Sequence, residues 1–298
     1  SRGLGDVYKI QILYTNGLRM HVVVTGGCGF IGSHLVELFA EASYEITVID
    51  DQRNGKFVTH RPNVHYMFED VCSAIIPPCD AIVHLANTPR IRLSFDNPAE
   101  SILNNINPTV VVCEYALRYN CPLYFATSSS NIFSDAYSNP YTFGKAMCEE
   151  TLNFYQRSFN LQYHLMYFYN VYGPREADYG EHSTVIRAFK NQVERGESLR
   201  IFGTGNKTRD FTWVEDVAMG VANLVSAEKK IKEAHFGSNH PYSIQQIADA
   251  FEHPVVSEFD RKGEAEHTRC DTPYIKRSQD AIEYIREWKR RYDAESSS

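Results

Sequence analysis

Residues 21–25 read HVVVT, an apolar run of strand length without the polar alternation of a half-exposed strand. Such a run predicts a strand buried on both faces. Glycines follow at once, and apolar positions then recur at helical spacing over 31–42. Further strands are predicted at 46–50 (ITVID), 64–68, 81–85 (AIVHL), 123–127 and 163–168. Between them, 102–119 and 141–159 carry helical periodicity, with Pro108 expected to kink the first helix or mark its start. Strand alternating with helix predicts an α/β fold, a parallel sheet covered by helices on both faces. After Tyr169 the pattern breaks into Gly- and Pro-containing loops around shorter elements, the expected mark of a smaller, interleaved lobe. Residues 1–19 lack the apolar core and cleavage site of a signal peptide, and Met20 stands directly before the first strong strand. They are expected to be a non-native leader, although 10–14 could add an edge strand.

Composition narrows the classes. At 298 residues the chain holds one large domain or two small ones. Its 43% hydrophobic and 22% charged content excludes a disordered or fibrous chain. Thirty basic against 37 acidic residues give −7, which argues against a nucleic-acid partner. No apolar run approaches the ~18–20 residues of a membrane span. Seven scattered cysteines form no C-x-x-C, so neither a zinc knuckle nor a disulfide framework is indicated, no metal is expected, and a reducing cytoplasm fits best.

The first chemistry-bearing motif is TGGCGFIG at 25–32. Its glycines at 26, 29 and 32 follow a strand and open a helix. Gly26 permits the tight turn, Gly29 lets a pyrophosphate approach the backbone, and Gly32 lets helix pack on strand. Phe30 and Ile31 lie between them, at a helix N-terminus that offers free N–H groups and a positive dipole end. Asp50 ends the second strand, where a carboxylate accepts hydrogen bonds from ribose hydroxyls and repels a 2′-phosphate, so NAD is expected over NADP. Asp51 could share that role, while Arg53 keeps NADP as a minor alternative. Asp70 and Val71, just after the third strand, are candidates for the adenine edge.

Tyr141 and Lys145 stand four apart at a predicted helix start and so share a face. The preceding strand ends in Ser128-Ser129-Ser130. A hydroxyl from that strand end and a Tyr from the next helix would meet at the C-terminal edge of the sheet. Oxidising an alcohol there needs a proton acceptor, and a phenol of pKa ~10 serves only if a nearby ammonium lowers it. Lys145 would supply that charge, and Ser129 would orient the substrate oxygen.

With these motifs in view, the chain resembles the extended short-chain dehydrogenases/reductases, in their nucleotide-sugar epimerase/dehydratase branch. The resemblance runs from about residue 20 to about 285. It is carried by TGGCGFIG at 25–32, Asp50, HLAN at 84–87, NNINPT at 104–109, SSSNIF at 128–133, YTFGK at 141–145, YNVYGPR at 169–175, RDFTWVED at 209–216 and RKGE at 261–264. It implies a Rossmann-type doubly wound sheet over 20–169 with a returning segment near 210–235. Residues 170–209 and 236–298 would form the substrate-binding lobe. It implies Ser129 as the active-site hydroxyl, with Ser128 and Ser130 as competitors, and Tyr141 and Lys145 as its catalytic partners. Leu85, Ala86 and Asn87, with Asn104 and Tyr169, would border the cofactor. Ser129, Tyr141 and Asn170 would touch the sugar or its pyrophosphate. Arg209 and Arg261 would clamp the diphosphate, Ile201 and Phe202 would edge the base, and Thr268 would stand beside the sugar C2 substituent. Asp210 is expected to be structural. A homodimer through the helices near 102–119 and 144–159 is also implied.

Three departures stand out: eleven residues only between Ser129 and Tyr141, Asn87 in place of a small residue after HLA, and a tail after Arg277 without Gly-Trp-x-Pro. The expected activity is NAD-dependent 4-epimerisation of a UDP-hexose or UDP-N-acetylhexosamine through a transient 4-keto sugar. Dehydratases and many decarboxylases of this kind place carboxylates where Ser130 and Asn131 stand, so these alternatives recede, and a 4-keto reductase survives. A non-catalytic NAD-binding sensor or scaffold is the alternative of another class, disfavoured by the intact Ser-Tyr-Lys set.

Overall fold

A computed structural model describes residues 14–15, 18–89, 91–176, 178, 183–261 and 263–296. Seven strands form its central sheet: β1 His21–Thr25, β2 Glu45–Ile49, β3 Val64–Met67, β4 Ala81–His84, β5 Leu123–Ser128, β6 Tyr163–Phe168 and β7 Glu233–Phe236. Their spatial order is β7-β6-β5-β4-β1-β2-β3, and every pairing is parallel. The chain thus starts in the middle, winds to one edge, returns beside β1 and winds to the other. That reversal between β1 and β4 opens a crevice at the carboxyl ends of the strands, the ligand position of a doubly wound sheet. Six of the strands fall where the apolar runs put them; β7 is brought in by the late segment of the chain, pairing Glu233 with Leu165.

Four long helices cover the sheet: α1 Phe30–Glu41, α2 Pro98–Tyr119, α3 Pro140–Phe159 and α4 Val214–Ser226. Leu35, Val36 and Phe39 of α1 and Val217, Val221 and Leu224 of α4 bury one face of the sheet. Val112 and Cys113 of α2 and Cys148 and Leu152 of α3 bury the other. The α2 helix begins at Pro98, four residues before its apolar periodicity, because proline is preorganised for the first turn. Pro108 lies inside it without ending it. Asn120 and Asn160 close α2 and α3 in the left-handed conformation that asparagine tolerates.

Beyond β6 the chain builds a third core from Phe189, Leu199, Ile201, Phe211, Phe251 and Ile285. Small two-stranded pairings brace it, including Leu199–Phe202 with Val255–Glu258. Of the stretch 10–14, only Tyr14 is described; it pairs with Arg19 in a separate hairpin, and 10–13 lie outside the described residues. No helix among the described residues is long and apolar enough to cross a membrane.

Candidate active site

A cleft of about 500 Å³ runs along the carboxyl ends of β1, β4, β5 and β6 into the third core. At one end lies the glycine turn. Gly26 has φ +74°, and a Cβ there would stand 2.7 Å from the Ala86 nitrogen, so the β1 turn touches the β4 turn backbone to backbone. A Cβ on Gly32 would come within 2.2 Å of the Gly26 carbonyl oxygen. Gly29 caps α1 without a side-chain bond, leaving the first N–H groups of that helix to a ligand. A bound NAD would meet bare backbone, and Gly26, Gly29, Phe30, Ile31 and Gly32 all line the cleft.

Asp50 stands just past β2 and is 8% exposed. Its carboxylate accepts the Cys28 N–H at 2.9 Å and the Gln52 N–H at 2.8 Å. Burial raises its pKa against those two hydrogen bonds. Each carboxylate oxygen keeps a further lone pair for a ribose hydroxyl. Arg53, the group that could favour a 2′-phosphate, pairs with Asp51 at 2.8 Å and Asp70 at 3.6 Å. Asp50→Ser is expected to weaken NAD binding by on the order of tenfold and to narrow its margin over NADP. Titration of both dinucleotides checks this, and a native protein that prefers NADP would overturn the ribose argument.

At the centre of the cleft, α3 and the turn after β5 converge. Asn139 caps α3 by accepting the Thr142 N–H at 2.8 Å, and its amide reaches the Gly263 carbonyl at 3.1 Å. One buried side chain thereby sets the helix start that carries Tyr141 and ties it to the loop carrying Arg261. Tyr141 and Lys145 both line the cleft, one turn apart. Lys145 is 3% exposed; its Nζ donates to the Ala126 carbonyl at 2.7 Å and to Asn87 Oδ1. Burial lowers the ammonium pKa to about 8, with Cys148 and Glu149 partly opposing the drop. Ser128, Ser129 and Ser130 all face the cleft. Ser128 and Ser130 bond each other at 3.2 Å, whereas the Ser129 hydroxyl makes no hydrogen bond with another described residue. Ser129, though the most buried of the three, is thus the serine of this turn whose hydroxyl is not committed to another described residue.

The turn is braced from behind by Glu149, one helical turn beyond Lys145. Its carboxylate accepts the Thr127 hydroxyl, the Asn131 amide at 2.9 Å and the Tyr167 hydroxyl at 3.4 Å. Sequence reading missed Glu149, although its i,i+4 spacing from Lys145 put it on the same helix face. His84, read only as part of HLAN, was missed as well; it is fully buried, and burial lowers its pKa to about 3, so it stays neutral.

Toward the third core, Asn170, Arg209, Arg261 and Thr268 line the cleft. Arg209 donates to the Thr208 and Glu266 carbonyls and pairs with Glu264 at 3.3 Å. The Arg261 guanidinium lies 3.4 Å from the Phe202 ring centroid and 3.9 Å from Glu264. Asp210 is spent on structure, accepting from Ser238, Asn239 and Cys270. Asp70, Val71, Leu85, Ala86, Asn87 and Asn104 also line the cleft.

Three expected contacts fall outside it. Tyr169 turns into the core under α3, its hydroxyl 3.2 Å from His235 Nδ1; its neighbour Phe168 takes the cleft side. Ile201 alternates inward with Leu199 and is buried in the third core. Phe202 does not line the cleft and meets it only through Arg261.

Residues 22–237 match the NAD dependent epimerase/dehydratase family. The chain belongs to that family, whose cofactor is NAD. Over 253 residues it is 28% identical to a Methanocaldococcus jannaschii protein provisionally named UDP-glucose 4-epimerase, covering 78% of this chain and 82% of that one. It is also 28% identical to UDP-glucuronic acid decarboxylase 2 of Arabidopsis thaliana, covering 82% of this chain but 58% of the decarboxylase. Among solved structures, the UDP-N-acetylglucosamine 4-epimerase of Methanobrevibacter ruminantium, in complex with UDP-N-acetylmuramic acid, superimposes with a TM-score of 0.81 at 25% identity, over 93% of this chain and 99% of that one.

Proposed function

We propose that this chain is a nucleotide-sugar 4-epimerase that uses NAD on UDP-hexoses and UDP-N-acetylhexosamines. The observation that carries the reading is the chemistry of the turn after β5. It presents hydroxyls to the cleft, and its one amide, Asn131, is held by Glu149. Among the described residues, the carboxylates lining the cleft are Asp50, Asp51 and Asp70 beside the glycine turn and Glu264 beside the two arginines. A dehydratase or decarboxylase needs an acid or base at the carbons beyond C4, and none of these carboxylates stands on the serine turn.

In this reading Ser129 holds the C4 oxygen and Tyr141 takes its proton. The Lys145 ammonium keeps the phenolate accessible at neutral pH. The glycine turn and Asp50 would hold NAD, which would supply a reversible hydride acceptor for C4, the hydride returning to the opposite face of the ketone. Tyr141 then gives its proton back, so nothing is consumed. Arg209 and Arg261 would grip the diphosphate while the sugar turns. Residues 20–169 and 210–235 form the cofactor half in this division, and 170–209 and 236–298 the substrate half. A homodimer is the proposed assembly, readable by sedimentation equilibrium. The deciding experiment incubates purified protein with UDP-sugars, uronates included, without added cofactor. Interconversion of C4 epimers supports the reading; release of CO₂ or of water sinks it.

Thr268 sets the proposed substrate range. It is 5% exposed, lines the cleft, and its hydroxyl oxygen accepts from the Asp210 N–H at 3.1 Å and the Asn170 amide at 3.3 Å. A side chain this small leaves room for a C2 acetamido group. Thr268→Tyr is expected to suppress turnover of the N-acetylated sugar selectively, overfilling by ~1–3 kcal/mol. Comparing kcat/KM on both substrates in the one variant checks it; equal losses would remove the gate.

A further inference from the structure

The Asn87 side chain has every polar atom engaged. An ammonium has only protons to offer, so the atom facing Lys145 must be the amide oxygen Oδ1. The two amide protons then go to the Ala86 carbonyl at 2.9 Å and to His84 Nε2 at 3.1 Å. His84 Nε2 is therefore the acceptor, which puts the ring proton on Nδ1, pointing at Thr25 Oγ1 at 2.7 Å. Thr25 is the last residue of β1, and its hydroxyl oxygen also accepts the Ala86 N–H at 3.3 Å. A polar chain, Thr25–His84–Asn87–Lys145, thus runs from the strand before the glycine turn to the lysine of α3.

We propose that Asn87 is a positioning residue that holds Lys145 in its charged form and aims it, through an amide whose orientation the neutral His84 fixes. With Ala126 and Asn87 taking two of its three protons, the ammonium keeps one donor for the cleft. The titratable groups around it are His84 from β4 and Tyr141, Cys148 and Glu149 from its own helix. His84 is neutral and burial raises the Cys148 thiol, so Glu149 is the opposite charge nearby; burial raises its pKa too, and its carboxylate is already committed to Thr127 and Asn131. Beside the Ala126 carbonyl, the Asn87 amide oxygen is the one side-chain acceptor among the described residues that stabilises the ammonium against burial. This rests on the proposed role of Lys145 only where turnover is read.

The first test needs no sugar. In protein carrying ¹³C,¹⁵N-lysine, the Lys145 side-chain resonance is assigned by its loss in Lys145→Met and titrated by NMR. Asn87→Ala is expected to lower the Lys145 midpoint by about one pH unit, and Asn87→Asp, which restores an oxygen acceptor with a charge, to raise it above the native value. The alkaline limb of kcat/KM should move in the same two directions. A filler role alone would reduce activity equally at every pH and leave the midpoint in place. An unchanged Lys145 midpoint in Asn87→Ala overturns the proposal whatever the turnover. Shifted midpoints in a protein that epimerises nothing would uphold it and remove the epimerase reading instead. Should Asn87→Ala fail to fold, the upward shift in Asn87→Asp decides alone, and its absence overturns the proposal.

Discussion

Tyr141→Phe is expected to keep the fold and NAD binding while turnover falls by ~10²–10⁴, the usual contribution of a positioned acid–base group. The ring still packs at the start of α3, where Asn139 fixes the first turn independently of the hydroxyl. What disappears is the proposed proton acceptor. Because the loss is in a step of the reaction and not in binding, kcat should fall while KM stays near its native value. Single-turnover assays with the sugar that serves the native enzyme test this, and normal turnover in the variant would remove Tyr141 from the chemistry.

Gly32→Ala is expected to have the largest effect on stability. Its new Cβ would stand 2.2 Å from the Gly26 carbonyl oxygen and 2.8 Å from the Gly27 Cα, both backbone atoms with no rotamer to yield. Relief requires α1 to move off β1, at a cost near the upper end of the ~1–3 kcal/mol of overpacking. For a chain of this size that lowers Tm by roughly 5 °C or more. Gly29→Ala gives the contrast: its Cβ meets the Gly26 oxygen only at 3.2 Å, so it should unfold close to the native temperature yet bind NAD more weakly. Thermal unfolding with and without NAD separates the two, and equal Tm values for Gly32→Ala and the native chain would refute the packing argument.

The glycine turn, Asp50 and the Tyr141–Lys145 pair were legible because each depends on local chemistry at a fixed spacing. So were six strands of the sheet: five are buried almost throughout and read as largely apolar runs, while the edge strand Val64–Met67 is buried only at Val64. Elsewhere legibility failed on parity. Tyr169 and Phe168 are neighbours at a strand end, and successive side chains point to opposite faces. The motif located the right backbone, but only the register decides that Phe168 takes the cleft and Tyr169 the core. Ile201 failed for the same reason. The start of α2 was misplaced because Asn97-Pro98 begins a helix by backbone preorganisation before any apolar periodicity appears. Spacing from Lys145 could place Glu149 on the right helix face but not name its partners Thr127, Asn131 and Tyr167, and nothing local marked His84, because both roles arise from burial against residues distant in the chain.

The pairing of β7 with β6 has a consequence for how the chain acquires its shape. Until Glu233–Phe236 is available, Tyr163–Phe168 is an edge strand with open hydrogen-bonding groups. Sixty-four residues, among them much of the third core and the whole of α4, intervene between them, so this closure is a contact of long sequence separation and costs chain-closure entropy late. A nascent polypeptide emerging from the ribosome would carry the other six strands while that edge still waits for its neighbour. The vulnerable species in biogenesis is therefore a nearly complete sheet, prone to pairing with another copy of itself, and a chaperone that shields one strand edge would protect it.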